Sequence, residues 1–164
     1  MKNIILLSDT HSYYNEELEK HLKKADEIWH AGDIGNYSVI QSLAAFTKVR
    51  AVYGNIDDHE IRSILPKDNI FEVEGFKIWM THIGSYPPRY NKTIKSKLQT
   101  IEPSIFICGH SHILKVIYDK NINCLHLNPG AIGKHGFHKV RTMLAFTLNN
   151  GNIENMNIIE YPRS

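Results

Sequence analysis

The sequence predicts an α/β protein in which β-α-β units come first and antiparallel hairpins follow, giving a mixed sheet or a pair of stacked sheets with helices outside. Three observations predict it. Short unbroken apolar runs such as Ile4 to Leu7 read as strands buried on both faces. Up to Tyr53 these runs alternate with stretches of helical spacing, the pattern of parallel pairing. From Ile70 onward, runs come in pairs separated by Glu74-Gly75, Asp119-Lys120-Asn121 or Asn149-Asn150-Gly151-Asn152, residue types that close hairpins.

The first strand, Asn3 to Leu7, ends at Ser8-Asp9-Thr10-His11-Ser12. Asn15 caps a helix through Leu18 and Leu22, since a short polar side chain there satisfies free amides of the first turn. Glu27-Ile28-Trp29 is a second strand and runs into His30-Ala31-Gly32-Asp33. A helix over Val39, Ile40, Leu43, Ala44 and Phe46 precedes a strand from Lys48 to Tyr53, which breaks at Gly54-Asn55-Ile56-Asp57-Asp58-His59. Ile70 to Val73 and Phe76 to Met80 form a hairpin that ends at Thr81-His82-Ile83-Gly84. Beyond Pro87-Pro88, a helix keeps Lys92, Lys95 and Lys97 in water and turns Ile94 and Leu98 inward. The strand Ile105 to Ile107 then leads into Cys108-Gly109-His110-Ser111-His112. Val116 to Tyr118 pairs with Ile122 to Leu127, which ends at Asn128-Pro129-Gly130, and Met143 to Leu148 pairs with Ile153 to Ile159.

A length of 164 residues suits one domain, spanning 1–164, and is too short for two ordinary ones. Lys and Arg number 19 against 17 Asp and Glu, a net charge of +2 with no basic track, so no nucleic acid duplex is expected as a partner. Cys108 and Cys124 lie in apolar runs as small core side chains and make no disulfide framework. With no secretory leader and no membrane-length apolar run, the expectation is a cytoplasmic protein off the membrane, with homo-oligomerisation left open.

Five of the strand-like runs end at a polar cluster with glycine beside or within it: Asp9 and His11, Asp33, Asn55, His82, and His110 with His112. On an extended backbone the i and i+2 partners of Asp9/His11 and His110/His112 project to one side, roughly 6.5 Å apart. Strand carboxyl ends in an open α/β sheet converge on one crevice, where residues distant in sequence can meet. Nitrogen and oxygen donors without thiolate suit Mn²⁺, Fe, Ni²⁺ or Zn²⁺ better than a Ca²⁺ or Mg²⁺ cage. The set exceeds one tetrahedral ion and fits two divalent ions roughly 3.5–4 Å apart, bridged by a carboxylate. Such a centre keeps a surplus positive charge, attracts an anion and favours attack of a hydroxide held between the ions on a phosphate ester.

Asp9-Thr10-His11, Gly32-Asp33, Gly54-Asn55, His82 and Gly109-His110-Ser111-His112, in this order, resemble the motif series of the calcineurin-like metallophosphoesterases, within them the small single-domain bacterial and archaeal phosphodiesterases. Asn128-Pro129-Gly130 resembles a later turn of that family. The resemblance implies a four-layer α/β/β/α sandwich of two mixed sheets flanked by helices. It implies that Asp9, His11 and His112 hold one metal ion, that Asn55, His82 and His110 hold a second, and that Asp33 bridges them. A small phosphorylated substrate is the implied partner, and Mn²⁺ the first choice of ion, with Ni²⁺, Zn²⁺ and Fe as alternatives. Asp33, Asn55 and His82 would act catalytically through this centre.

One departure bears on mechanism. Larger members carry a histidine after Gly-Asn that protonates the leaving group, and this chain has Ile56 there. His59, His135 and His138 are the candidates to replace it, each set against an ordinary loop role. Asp57 either orients a ligand histidine or caps the next helix. His30 reads as support behind the donors, His126 as a satisfied position on the sheet's other face, and His21 as a helix-surface residue. Arg89 is either a phosphate contact or an exposed loop residue, and the tryptophans and phenylalanines read as core. Three functions share this pattern: a two-metal phosphodiesterase, a phosphomonoesterase with the same ligands, and a catalytically weak or inactive protein-binding scaffold like the retromer subunit Vps29, a eukaryotic branch of the same fold.

Overall fold

The computed structural model of the chain describes residues 1–163. Strand β1 (Lys2–Leu7) sits at the middle of a five-stranded sheet. It pairs in parallel with β2 (Glu27–His30), which pairs in parallel with β3 (Lys48–Ala51). On its other side lies β9 (Val140–Asn149), antiparallel, and then β10 (Asn152–Pro162). A second five-stranded sheet contains β4 (Asp68–Val73), β5 (Phe76–Thr81), β6 (Ile105–Ile107), β8 (Cys124–Pro129) and β7 (Leu114–Asp119), in that spatial order. Both sheets are mixed, with β5, β6 and β8 parallel and the outer strands antiparallel.

Alternation along β1 explains the layering. Ile4 and Leu6 join Trp29, Phe71, Met80, Ile107 and Phe146 in a core between the sheets. Ile5 and Leu7 face the other way, onto Leu18, Leu22, Val39, Leu43 and Ile61. These come from a 3₁₀ turn (Glu16–Leu18) and from helices α1 (Glu19–Leu22), α2 (Ser38–Ala44) and α3 (His59–Ile64). On the outer face of the second sheet, α4 (Lys92–Ile101) buries Ile94 and Leu98 against Trp79 and Phe106. The result is the four-layer α/β/β/α sandwich. Trp29 meets Phe71 edge-on at a 5.1 Å centroid separation at the centre, so Trp29→Ala would cost about 3–5 kcal/mol.

Several boundaries differ from the sequence reading. Asn15 accepts from the Glu17 amide and caps the 3₁₀ turn, with the α-helical turn starting at Glu19. The third strand stops at Ala51, short of Tyr53. Ile122 and Asn123 belong to a turn in which Asn123 takes φ 50°, so that strand starts at Cys124. The last hairpin is longer at both ends and carries an irregularity between Glu154 and Asn157. Helix α3 follows the Gly54 break and is capped by Asp58, whose carboxylate accepts from the Ile61 amide at 3.1 Å, so Asp57 is free for another role. Phe137, read as core, is fully exposed on the loop before β9, because nothing apolar packs over that segment.

Register places the site. Leu7 lies beside His30 and His30 beside Ala51, so the three parallel strands finish at one edge. Met80 beside Ile107, and Ile107 beside Leu127, brings the second sheet's parallel strands to their ends together. The loops after these strands carry Asp9, His11, Asp33, Asn55, His82, His110 and His112, whereas Asn128 and Pro129 are the last residues of β8.

Candidate metal centre

Left-handed backbone shapes these loops. Asp9, His11, Asp33, His110 and His112 have φ of 56°, 44°, 56°, 70° and 62°, a region that non-glycine residues adopt at a cost of order 1–3 kcal/mol each. The expectation of an extended i, i+2 backbone is therefore wrong: β1 and β6 end before the motifs, and each motif is a tight coil. Backbone bonds hold two of the coils together, with the amides of Asp9, His11 and Ser12 donating to Gly32, Asp33 and Ile34 at 3.0, 3.1 and 2.8 Å.

The coils gather the donors in two groups. Asp9, His11 and His112 form one, with His112 Nε2 at 3.2 Å from Asp9 Oδ1. Asp33, His82 and His110 form the other, with His82 Nε2 at 3.2 Å from Asp33 Oδ1. The two histidines of Gly-His-Ser-His thus part company, one to each group. Asp33 joins the groups, because its second oxygen, Oδ2, lies 3.4 Å from His11 Nε2. Asn55 Oδ1 sits 3.0 Å from His110 Nδ1, beside the second group.

Other contacts fix which atoms face inward. Asp9 Oδ2 accepts from the Ser8 hydroxyl at 2.7 Å and the His110 amide at 3.1 Å, leaving Oδ1 to face the histidines. His82 Nδ1 donates to the Ala31 carbonyl at 2.7 Å, which turns a bare Nε2 toward Asp33 and Asp9. Asp57 spends both oxygens on backbone amides, those of Gly35 at 2.9 Å, Ile34 at 3.2 Å and Gly54 at 2.7 Å. It ties the Asp33 loop to the Asn55 loop, and it neither orients a histidine nor caps a helix.

The electrostatics agree. Burial would raise the Asp33 carboxyl, but the close approach of the His11 and His82 imidazoles and the hydrogen bond from the Ile56 amide hold it well below the usual carboxylate range. For His82, burial lowers the pKa and is outweighed by Asp33, Asp9 and the Ala31 carbonyl, so it is raised. His30 is the contrast: wholly buried, it is pushed down to about 3 and stays neutral. Its Nδ1 accepts from the Gly32 amide at 3.1 Å, which leaves the Nε2 proton for Thr10 Oγ1 at 3.0 Å. Thr10 in turn donates to Ile34, so His30 braces the loops from behind.

Asp9 Oδ1, His11 Nε2 and His82 Nε2 are buried and have no hydrogen-bond partner. Acceptor lone pairs that converge without protons between them repel, and a cation among them relieves both the repulsion and the missing bonds. Nitrogen and oxygen donors are the set for a borderline divalent ion. The residues present therefore fit a metal centre. Cysteine has no part in it: both thiols are buried, and desolvation pushes them up to about 12.

Of the other residues singled out, His135 stacks on His11 at a 4.7 Å centroid separation and His138 meets His112 edge-on at 5.2 Å. Both line the cleft over the donors. His59 is exposed as the first residue of α3 and lines no cleft beside the donors among the described residues, and Arg89 is likewise exposed. His21 is on α1. His126 is fully buried between Phe106 and Tyr86, but its Nδ1 has no partner, so it is not satisfied. Sequence reasoning missed Ser8, Arg62 and Tyr86 and gave Asn128 no role. Asn128 Nδ2 donates to the Gly109 carbonyl and to Tyr86, fixing the His110 loop. Its place in Asn-Pro-Gly was the only hint.

A family model described as the calcineurin-like phosphoesterase superfamily domain matches residues 1–151. The chain belongs to that superfamily. Within it, a probable metallophosphoesterase of Methanocaldococcus jannaschii is 32% identical over 133 residues, 77% of this chain and 66% of that one. In fold, the superfamily chain is similar to Vps29 of Chaetomium thermophilum, with TM-score 0.78 at 13% identity over 100% of both chains. It is also similar to an archaeal phosphodiesterase, with TM-score 0.71 at 18% identity over 96% of this chain and 99% of that one. Membership makes it a metallophosphoesterase-type chain, a hydrolase class acting on phosphate esters. No described helix is long and apolar enough to cross a membrane.

Proposed function

We propose that the protein is a dinuclear phosphodiesterase of this superfamily, with Mn²⁺ as the preferred ion. Asp9, His11 and His112 would hold one ion, Asn55, His82 and His110 the other, and Asp33 both. The observation that carries this reading is Asp33, whose two carboxylate oxygens approach His11 and His82 at 3.4 and 3.2 Å, one toward each donor group. When bound by these residues, divalent ions would supply Lewis-acid polarisation of phosphoryl oxygens and a water of near-neutral pKa.

The chain's own residues supply the rest. The Ala31 carbonyl and the Ser8 hydroxyl aim His82 and Asp9, so little is reorganised when an anion arrives. The carboxylates of Asp9 and Asp33 offset part of the ionic charge and leave a surplus that attracts a phosphate ester. Ile56, 46% exposed at the mouth, cannot protonate a departing alkoxide, so esters with good leaving groups are the better substrates.

The test is metal counting on the purified chain with turnover of bis-p-nitrophenyl phosphate and p-nitrophenyl phosphate in Mn²⁺. Two ions per chain and faster diester turnover, abolished in Asp33→Ala, support the reading. Faster monoester turnover points to a phosphomonoesterase, and a metal-replete protein that turns over neither ester points to a scaffold.

A further inference from the structure

Two clefts open from the donors, and they differ in character. The cleft over His11 and His112 is edged by the exposed Ile56, Ile113 and Phe137. The other, about 670 Å³, starts at Asn55 and His82 and runs along the outer face of the second sheet to α4. Its walls carry Arg62, Lys67, Lys92 and Lys97 against a single carboxylate, Asp68. Asp68 is already engaged, accepting from Trp79 Nε1 at 3.0 Å and Lys97 Nζ at 3.2 Å. Among the described residues Arg62, Lys67 and Lys92 enter no ion pair. In a chain whose whole net charge is +2, three uncompensated cations around one cleft form a local anion trap.

Arg62 is pre-organised for this. Its Nε donates to the Asp57 carbonyl at 2.7 Å and its Nη2 to the Asn55 carbonyl at 3.0 Å, while its guanidinium lies over the Tyr53 ring at 4.9 Å. The remaining N–H groups are left for a ligand, beside the donor residue Asn55, at little further entropic cost. The α4 terminus contributes nothing, since Asn91 Oδ1 already accepts from the Ile94 amide.

We propose that this cleft is a second anion subsite of the same centre, which receives a phosphate carried by the substrate beyond the scissile ester. The substrate class is then a phosphodiester bearing an additional terminal phosphate, of which a 5′-phosphorylated dinucleotide is the simplest probe. This rests on the phosphodiesterase reading. Three cations match a dianionic phosphate better than a carboxylate, and the shared Asn55 and His82 wall makes both sites reachable by one molecule.

The experiment compares thymidylyl-thymidine with and without a 5′-phosphate, in the natural chain and in the Lys67→Gln/Lys92→Gln double variant. These lysines are exposed and make no ion pair, whereas Arg62 also holds the Asn55 loop and is left in place. kcat/KM in Mn²⁺ is expected to favour the 5′-phosphorylated probe by at least about tenfold, expressed in KM, with the preference collapsing in the variant. Calorimetric binding of both probes to the full chain in chelator gives the same comparison without turnover. If neither probe is cleaved but the phosphorylated one binds more tightly, and loses that advantage in the variant, the subsite stands and the activity reading falls. Equal affinity for both probes, or a preference that survives in the variant, overturns the subsite.

Discussion

Nε2 of His112 lies 3.2 Å from Oδ1 of Asp9, an approach between a residue of the first strand's loop and one far along the chain. Because the other oxygen of Asp9 is held by Ser8 and the His110 amide, Oδ1 faces inward with no hydrogen-bond partner. Removing the acceptor should release the strain among these lone pairs and weaken ion capture. Asp9→Asn is expected to lower divalent-ion affinity by about 10–100-fold while leaving the thermal midpoint of the metal-free chain equal or higher. Calorimetric titration with Mn²⁺ and a melting curve in chelator check both.

Gly54 approaches Asp33 so closely that an added Cβ would collide with the Asp33 carboxylate and amide. Gly54→Ala should therefore displace the shared carboxylate. The expected result is a destabilisation of about 1–3 kcal/mol in urea unfolding and an activity loss on the order of 100-fold.

Asp57 is a positioning residue by its three backbone acceptor bonds. Asp57→Ala leaves those buried amides unpaired and should cost about 2–4 kcal/mol, with ion affinity falling by about tenfold. Excess Mn²⁺ should restore most of the turnover, which loss of a reacting group would not allow. His59→Ala, by contrast, should change kcat/KM by less than about twofold, because His59 is exposed and away from both clefts.

His30 and His126 predict an acid-labile fold. Burial lowers them from 6.5 to about 3 and about 4, so below pH 6.5 the unfolded chain takes up protons that the folded chain refuses. The stability they contribute is fully present above pH 6.5 and is lost as pH falls toward 4 and 3. Each linked proton removes about 1.4 kcal/mol per pH unit, so urea midpoints should fall steadily over that range. His126→Phe should flatten the slope.

The layers were legible because each strand announces itself. Ile4 to Leu7 is apolar without a break, and Phe76 to Met80 follows Glu74-Gly75 as a hairpin should. Helix α3 entered the sequence reading only as a helix that Asp57 could cap and was given no range, since its six residues bury only Ile61 and give no helical period. The turn at Ile122 and Asn123 was hidden because Ile122 extends an apolar run, while the left-handed Asn123 ends it. Motif spacing singled out residues that the structure gathers in two candidate groups, but it suggested extended pairs where the backbone coils at Asp9, His11, His110 and His112. Support was harder still. Nothing in the sequence marks Asp57, rather than Asp58, as the brace between two loops, or Arg62 as a cation held over Tyr53.

The proposal that Asp33 is shared by two ions is tested most directly by counting Mn²⁺ ions per chain, by elemental analysis after equilibrium dialysis, in the natural protein and in Asp33→Ala. Two ions in the natural chain, with at least one lost from the variant together with diester turnover, is the predicted result. A natural chain that takes up no Mn²⁺, or a variant that keeps both ions and full turnover, would contradict it.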